Sequence, residues 1–314
     1  MVSANQPPPI DVSGREHDRS PDWPVSVGAP VWQCESWSDE VFPVGTPRSK
    51  WLWWYSRLFN VVEGNSTFYG VPSQSTFQRW GREAADGFEF CMKVPRTISH
   101  DAMLSNVRSE LGTFTDRLRV LADHGVLGPT LLQLGPGFGY GHRDSLQKFL
   151  DDWPRDLPLS VEVRHADWFD HGDREAHLIA MLQNHSVDYV IFDSRALFQA
   201  SPDDEIEVES QRKKPKTPPR ETITSRRPMV RMVGRNDLTK AESYLRAWAE
   251  TVVAWKDRGL RPIFFTHSPN DAFAPAMARR MLYWLAKADQ NSSAFPSRRP
   301  EDIRVSGDGQ MSLF

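Results

Sequence analysis

The chain has 314 residues, of which 39% are hydrophobic, and it carries a formal net charge of −3. This length fits one α/β barrel of about 250 residues with additional ends, or two ordinary domains. The small net charge excludes a protein that binds nucleic acid through its overall field, so binding has to depend on local sites.

Cysteine content and the ends of the chain indicate the compartment. Cys34 and Cys91 are too few for a disulfide framework and match no zinc spacing, so free thiols are expected. The first 22 residues lack the apolar core of a signal peptide, and the sequence contains no apolar run of about 18 residues. We therefore expect a cytoplasmic protein without a membrane partner, with disordered tails at 1–22 and 290–314 around one domain at 23–289.

Short β-rich apolar runs alternate with helical patterns from Trp23 onward, which is typical of a parallel α/β sheet. Apolar stripes fill most of the intervals, and the clearest runs from Leu104 to Leu121 at spacings of three and four. Eight strands are predicted, at 25–33, 60–67, 88–94, 129–134, 159–165, 188–193, 229–234 and 261–267. The pattern predicts a TIM-type (β/α)8 barrel.

The sixth unit of this barrel is irregular. Residues 201–228 show no apolar periodicity and change from acidic to basic, which predicts a charged, flexible insertion in place of a helix. Alternatively, this segment lies on the catalytic face, because it follows a strand, and its basic half contacts a phosphate-bearing ligand. The basic half contains Arg212, Lys213, Lys214, Lys216 and Arg220.

Polar side chains stand near the C-terminal ends of the predicted strands. Because side chains alternate faces along a strand, parity opposes Glu162 and Arg164 to Val161 and Val163. The same rule places Cys91 and Lys93 opposite an apolar set that should face the helices. Further polar residues near strand ends are Glu63, Asn65, Gln133, Asp193, Arg231 and His267. The C-terminal end of such a barrel is its active-site face, so these residues predict one site, although a pair such as Glu162 and Arg164 could also be structural.

Charge indicates what this site binds. Glu63, Glu162 and Asp193 are offset by Lys93, Arg164 and Arg231, whereas a divalent cation normally needs a net-negative cage. We therefore predict an anion-binding mouth without metal or cofactor. A metal site built from Glu63, Glu162, Asp193 and a histidine is the alternative.

Roles follow from the residue types. Lys93, Arg164 and Arg231 are suited to clamping a phosphate or carboxylate. Glu162 or Glu63 would be a general base and His100 a general acid. Cys91 is interpreted as a small buried hydrophobic residue rather than a nucleophile. The full substrate-binding set predicted is Asn65, Tyr69, Lys93, Gln133, Arg164, His165, Asp193 and Arg231.

Five motifs occur in order between about residues 25 and 286: VGAPVW, FNVVEGNSTFYGVP, FEFCMKVPRTISH, LLQLGPGFG and SVEVRHADWF. They resemble the signature of the YecE-like family, domain of unknown function 72. The resemblance implies a TIM-type barrel of unsettled activity. It also implies characteristic polar positions at Glu63, Asn65, Thr67, Tyr69, Lys93, His100, Gln133, Glu162, Arg164 and His165.

The chain departs from this family pattern in its last third. Arg231, Met232, Val233 and Gly234 stand where the family typically has Arg-Leu-His-Gly, and Phe264 to His267 stand near a usual Phe-Asn-Asn. The contributions of the seventh and eighth strands are therefore left open.

The last five residues form a separate motif, consisting of Gln310, Met311, Ser312, Leu313 and Phe314. They resemble the pentapeptide with which bacterial DNA-metabolism proteins dock on the replicative sliding clamp, although five degenerate positions also arise by chance. A flexible tail can bury a terminal Leu-Phe pair in a hydrophobic pocket.

Together these features predict an enzyme, a hydrolase or lyase, that acts on a phosphorylated or nucleic-acid substrate at the barrel mouth. Its partners would be a phosphate-bearing small molecule or nucleic acid, and the tail would recruit it to DNA through the sliding clamp. One alternative is a non-catalytic nucleotide or nucleic-acid binding module. Another is a carbohydrate-active enzyme with Glu63 and Glu162 as paired carboxylates.

Overall fold

Eight parallel strands form one sheet in the order β3-β2-β1-β8-β7-β6-β5-β4 in the computed structural model, which describes residues 23–289, 295 and 297–303. The strands are β1 (Ser26–Ala29), β2 (Val61–Gly64), β3 (Glu89–Met92), β4 (Thr130–Gln133), β5 (Leu159–Glu162), β6 (Asp188–Asp193), β7 (Met229–Val233) and β8 (Ile263–His267). The two ends of the sheet meet through bridges from Phe90 to Leu127 and from Lys93 to Leu131. The predicted TIM-type barrel is therefore confirmed.

Helices follow the strands and cover the outside of the barrel. They are α1 (Trp51–Leu58), α2 (Ser66–Tyr69), α3 (Gln74–Glu83), α4 (Arg108–Asp123), α5 (Arg143–Asp152), α6 (Asp173–Asn184), α7 (Arg195–Phe198), α8 (Glu205–Lys213), α9 (Glu242–Asp257) and α10 (Ala274–Ala288). Leu104 and Val107, expected in the helix of the third unit, precede α4 instead. Met103, Leu104 and Asn106 have φ values of 47°, 65° and 57°, which a right-handed helix does not accommodate.

Inward and outward faces of the strands carry different residues. Phe90 and Met92 of β3 pack in the large cluster between sheet and helices, as parity predicts. Cys91 points the other way, into a smaller cluster inside the barrel with Val61, Leu131, Val190, Met229, Ile263 and Phe265. Burial raises the pKa of the Cys91 thiol well above its usual value, so this thiol stays protonated and packs as a small apolar side chain.

Paired charges fill the N-terminal end of the barrel. Arg227, in the loop before β7, donates to both carboxylate oxygens of Glu89 at 2.8 and 2.6 Å. The amide N–H of Arg227 also donates to Asp188 Oδ1 at 2.7 Å. Neither pairing was expected from the sequence. Because these groups satisfy each other, the end of the barrel available for a ligand is the C-terminal mouth.

Residues 201–228 contain α8, so the prediction of a segment without secondary structure is wrong for this part. Glu207 fastens the helix, because its carboxylate is only 1% exposed and accepts from Arg235 Nε at 3.0 Å. It also accepts from the amide N–H groups of Asn236, at 3.0 Å, and Asp203, at 2.9 Å. Composition did not reveal this order because Arg235 lies beyond the segment, at the end of β7.

Replacing Glu207 with Ala is expected to release α8. Arg235, which is 0% exposed, would lose its buried carboxylate and keep only the exposed Asp203, 3.1 Å from its Nη2, and breaking a buried ion pair costs about 3–5 kcal/mol. Amide hydrogen exchange should then accelerate across Glu205–Lys213 while the barrel strands stay protected. Glu209→Ala is the matched control, because Glu209 lies on the same helix and pairs only with exposed Arg212 and Lys213. Equal protection of α8 in the two variants would contradict the proposed anchoring.

Residues 1–22, 290–294, 296 and 304–314 lie outside the described part of the chain. The predicted clamp-binding residues Gln310, Met311, Ser312, Leu313 and Phe314 are among them. Within the described part, none of the helices has the length and apolar character needed to span a membrane.

Candidate functional site

Arg231 is the centre of a buried network inside the mouth. It lies on the inward face of β7, and its Nε and Nη2 each donate to one carboxylate oxygen of Glu63 at 2.7 Å. Nη1 donates to Glu162 Oε2 and lies 3.4 Å from Oε1 of Gln133. The guanidinium is thus occupied by two carboxylates, and it organises the site from below rather than offering free donors to a ligand.

Glu63 accepts four hydrogen bonds. Besides the two from Arg231, it receives Asn65 Nδ2 at 2.8 Å and His267 Nε2 at 3.2 Å. Burial raises the pKa of this carboxyl, but the charge of Arg231 and the hydrogen bonds from His267 and Arg231 outweigh that effect and hold the pKa well below its usual range. Burial also lowers the pKa of His267, so at neutral pH the ring donates its Nε2 hydrogen as a neutral imidazole. Glu63 is therefore a permanently ionised structural acceptor.

Glu162 is held in a similar way at the end of β5. It accepts from Arg164 Nε at 2.5 Å and from Arg231. Burial works against ionisation, yet the charges of Arg164 and Arg231 lower the pKa to about 2. A carboxylate with so little proton affinity is a poor general base at neutral pH. The pairing also weighs against the carbohydrate alternative, which requires one carboxyl with a raised pKa.

Acid should weaken the fold through these carboxylates. A folded pKa below the unfolded value gives stability that is complete above the unfolded pKa and is lost as pH falls toward the folded one. For Glu162, with a pKa of about 2 against the ordinary 4.5, the loss between about pH 6 and about pH 3 is about 2 kcal/mol. Urea unfolding of wild type and Glu162→Gln measures it, and the variant should lose less stability over this range. Parallel curves for the two proteins would contradict the assignment.

Lys93 enters the mouth just beyond β3. Its side chain is buried, at 7% exposure, and Nζ lies 4.0 Å from the centre of the Phe68 ring. Thr67 fixes the local backbone by donating to the Lys93 carbonyl at 2.6 Å. Burial, followed by the charge of Arg231, lowers the pKa of Lys93 to about 7. Among the residues that the structure describes, no carboxylate pairs with its amine.

His100 lies beside Lys93 in a π-helical turn, Thr97–Asp101. Ser99 Oγ donates to the Pro95 carbonyl at 2.9 Å, so the same hydroxyl accepts the Nδ1 hydrogen of His100, also at 2.9 Å. This pattern assigns the lone pair of the ring to Nε2. Burial and the charge of Lys93 lower the pKa of His100. The residue is therefore a neutral imidazole with a free basic nitrogen.

Close packing explains the small residue opposite His100. A Cβ atom at Gly135, in the loop after β4, would lie 3.1 Å from Cδ2 of His100. The Phe68 ring packs edge-on against the imidazole on another side, with ring centres 5.1 Å apart. His100 and Lys93 thus flank the same phenylalanine.

Sequence reasoning did not single out two charged residues near the mouth. Burial, then the charges of Arg231 and Arg164, lower the pKa of Lys214, and within the described chain no carboxylate pairs with it. Asp271 has its pKa raised by burial, with His267 and Lys214 acting in the opposite direction. Lys214 belongs to the basic half of the insertion. The alternative interpretation, in which this half contacts a phosphate-bearing ligand, therefore indicated this residue.

Three predicted site residues lie apart from this network. Asp193 faces the helices, because its Oδ2 accepts from Trp248 Nε1 at 2.7 Å and from Arg195 Nη2 at 2.7 Å. Asp193 therefore lies outside the network in which the sequence analysis placed it. Tyr69 is 84% exposed on α2, outside the buried network. The His165 ring lies 3.4 Å from Asp167 Oδ2 in the loop after β5.

The alternative metal site is not assembled. Asp193 points away from Glu63 and Glu162, and both glutamates are occupied by guanidinium groups. In the described ranges, no group of three or more His, Cys, Asp or Glu side chains is arranged to hold a metal ion.

Comparison with known proteins places this barrel in a family. The model of the family described as "Protein of unknown function DUF72" matches residues 26–301. The chain is a member of the DUF72 family. The UPF0759 proteins YecE of Escherichia coli O157:H7 and of strain K12 are each 33% identical to this DUF72 chain over 273 residues, covering 87% of it and 97% of the relative.

Solved DUF72 structures share the fold. A DUF72 family protein from Enterococcus faecalis V583 superposes with a TM-score of 0.65 at 19% identity, covering 83% of this chain and 95% of that one. Another from Thermotoga maritima MSB8 gives a TM-score of 0.60 at 22% identity, covering 81% and 96%. Membership in DUF72 names no reaction, so function has to be argued from the mouth itself.

Proposed function

We propose that this DUF72 protein is an enzyme whose barrel mouth binds a phosphate-bearing small molecule. The observation that carries the proposal is the buried Lys93 and the half-buried Lys214, which have no carboxylate partner among the described residues. An unpaired buried cation is costly, and a bound anion removes that cost.

Charge in the mouth favours an anion. Glu63, Glu162 and Asp271 supply the carboxylates, whereas the cations are Arg231, Arg164, Lys93 and Lys214. Arg231 is saturated, so the groups left for a phosphate are Lys93, Lys214 and Arg164, whose side chain is 12% exposed. A groove of about 400 Å³ between α8 and Pro269 is lined by Lys214, together with Lys213, Glu205 and Glu209, and provides space next to Lys214.

A small ligand fits better than a nucleic-acid duplex. The cations of the mouth are few and are buried or half-buried, whereas backbone recognition of a duplex needs a row of exposed basic residues. Basic residues of the insertion outside the mouth are mostly paired, as Arg212 and Lys213 are with Glu209 and Arg220 with Glu175. Because Glu63 and Glu162 are paired with Arg231, the residues left for proton transfer to and from a ligand are Lys93 and His100.

Calorimetric titration with inorganic phosphate tests the site. Lys93→Met and Lys214→Met should each weaken binding by about 10- to 100-fold, because a hydrogen bond to a charged group contributes about 1.5–3 kcal/mol. Lys216→Met is the control, since Lys216 lies over Phe198 and is exposed. Equal affinity in all three variants would remove the basis of the proposal.

The phosphate affinity should also depend on pH. Phosphate needs the ammonium form of Lys93, whose pKa is about 7, so affinity should fall by at least about tenfold between about pH 6 and about pH 9. A parallel titration with a single-stranded oligonucleotide tests the alternative that the mouth binds nucleic acid. Tight oligonucleotide binding that is lost in Lys93→Met would replace the small-molecule assignment with nucleic-acid binding.

A further inference from the structure

We propose that Lys93 is a Schiff-base lysine, whose amine attacks the carbonyl carbon of an aldehyde or ketone that carries an anionic group. This inference rests on the proposed function, because Arg164 and Lys214 would hold the anionic group. It goes further by naming the bond that the enzyme makes to its substrate.

The position of the amine suits this chemistry. Lys93 projects from the end of a barrel strand, is 7% exposed and has its Nζ 4.0 Å from the centre of the Phe68 ring. A lysine that merely stabilises the fold is normally paired with a carboxylate, which keeps it an ammonium ion. Here Glu63 and Glu162 bind Arg231 and Arg164 instead. Desolvation and neighbouring cations are the two known means of activating a lysine for imine formation.

His100 supplies the proton transfers. Its Nε2 lone pair is free because Nδ1 donates to Ser99, and both its ring and the Lys93 amine contact Phe68. The lone pair of the amine forms the C–N bond while the carbonyl π pair moves to oxygen. His100 takes one proton from nitrogen and passes it to the alkoxide oxygen, which becomes the hydroxyl group of the carbinolamine. A second proton, taken from solvent and relayed by His100, protonates this hydroxyl group, and it is balanced by the proton that remains on nitrogen in the protonated imine. The C–O bond then breaks, water leaves and the C=N bond forms.

Overall, one amine and one carbonyl give one imine and one water, and no oxidant, reductant or metal is consumed. The protonated imine withdraws electrons from the adjacent carbon. The reaction classes that follow are therefore cleavage or formation of the neighbouring carbon–carbon bond and removal of the neighbouring proton.

Pyridoxal 5′-phosphate is a suitable probe, because it carries an aldehyde and a phosphate on one small ring. The full-length protein is incubated with this probe and cyanoborohydride, which reduces an imine to a stable secondary amine, and the labelled peptide is identified by mass spectrometry. We expect labelling of Lys93 at probe concentrations at least about tenfold below those needed with pyridoxal, which lacks the phosphate. Inorganic phosphate should protect Lys93, and Lys216→Met should be labelled as wild type is.

The pH profile of labelling identifies the amine without a variant. Because the pKa of Lys93 is about 7, its labelling rate should rise up to about pH 7 and then level off. Exposed lysines, with a pKa of about 10.4, should continue to react faster as pH rises further. Labelling spread evenly over surface lysines, or unchanged in total by Lys93→Met, would overturn the proposal.

The two proposals fail in different ways. If phosphate binds in the calorimeter but Lys93 is not labelled, the Schiff-base assignment is wrong and the anion site remains. If pyridoxal labels Lys93 with the levelling pH profile while phosphate neither binds nor protects, the anion site is wrong and the activated amine remains.

Discussion

Replacing Arg231 with Met is expected to lower the free energy of unfolding by about 3–5 kcal/mol, the range for removing one partner of a buried ion pair. Glu63 and Glu162 are both 0% exposed and would keep their charges with fewer donors around them. Glu63 would lose two hydrogen bonds of 2.7 Å at once. Urea unfolding of the variant and wild type at neutral pH measures the difference.

Two further variants separate the buried charge from simple loss of an arginine. Arg280→Met removes the partner of Glu242, but the Arg280 side chain is 42% exposed, so water replaces the lost contact and the loss should be much smaller. Combining Arg231→Met with Glu63→Gln and Glu162→Gln should recover stability relative to Arg231→Met alone, since amides are less costly to bury than carboxylates. If Arg231→Met costs no more than Arg280→Met, the network does not stabilise the barrel.

Most of this network could be predicted because side chains along a strand point alternately into the barrel and toward the helices. On β5, Val161 packs outward while Glu162 points inward, and on β7 Arg231 shares the inward face of Met229. At the ends of these strands the charged residue alternates with apolar neighbours that pack against the helices, so the alternation indicates that the charge faces inward. The motifs around Glu63 and Lys93 supplied the same residues through family resemblance.

Asp193 was misplaced for a related reason. β6 reads Asp188, Tyr189, Val190, Ile191, Phe192, Asp193, and all of its central residues are buried. A strand that is apolar on both faces carries no alternation, so its sequence does not tell which way the last carboxylate points. The deciding contact is Trp248 on α9, which lies 55 residues further along the chain.

The helix in the insertion could not be predicted from local composition either, because it depends on a distant contact. α8 forms because Glu207 meets Arg235, which lies 28 residues later, and Lys214 follows directly after this helix. Residues 201–228 alone are too polar to fold, and the missing partner stands on another strand end. Such contacts between distant residues determine which side chains reach the mouth.

Replacing Lys93 with Met is expected to raise the free energy of unfolding at neutral pH by about 4 kcal/mol. Each unit of pKa shift corresponds to 1.36 kcal/mol, and the pKa of Lys93 falls from 10.5 to about 7 on folding. The unfolded chain therefore binds this proton more tightly. Below about pH 7 this difference lowers the free energy of unfolding of wild type by its full amount. The stability of wild type then rises between about pH 7 and about pH 10.5.

The difference between the pH-stability curves of wild type and Lys93→Met gives the contribution of Lys93 to the free energy of unfolding. Urea unfolding between about pH 6 and about pH 10 should show the advantage of Lys93→Met shrinking steadily as pH rises. Lys216→Met should follow wild type throughout, because that lysine is exposed. A Lys93→Met protein that is less stable than wild type at neutral pH would mean that the ammonium group stabilises the fold.

Phosphate in the unfolding buffer ties this instability to binding. A ligand that binds only the folded state adds about 2.7 kcal/mol of stability at one hundred times its Kd. Wild type should gain this increment, whereas Lys93→Met, with an affinity about 10- to 100-fold weaker, should gain only about 0.4–1.4 kcal/mol, so the difference between them should narrow by about 1–2 kcal/mol. A lysine kept for packing alone would leave the difference unchanged. Narrowing of the difference would show that part of the cost of burying Lys93 is offset by the anion that the mouth binds, which is how a destabilising residue is retained at a functional site.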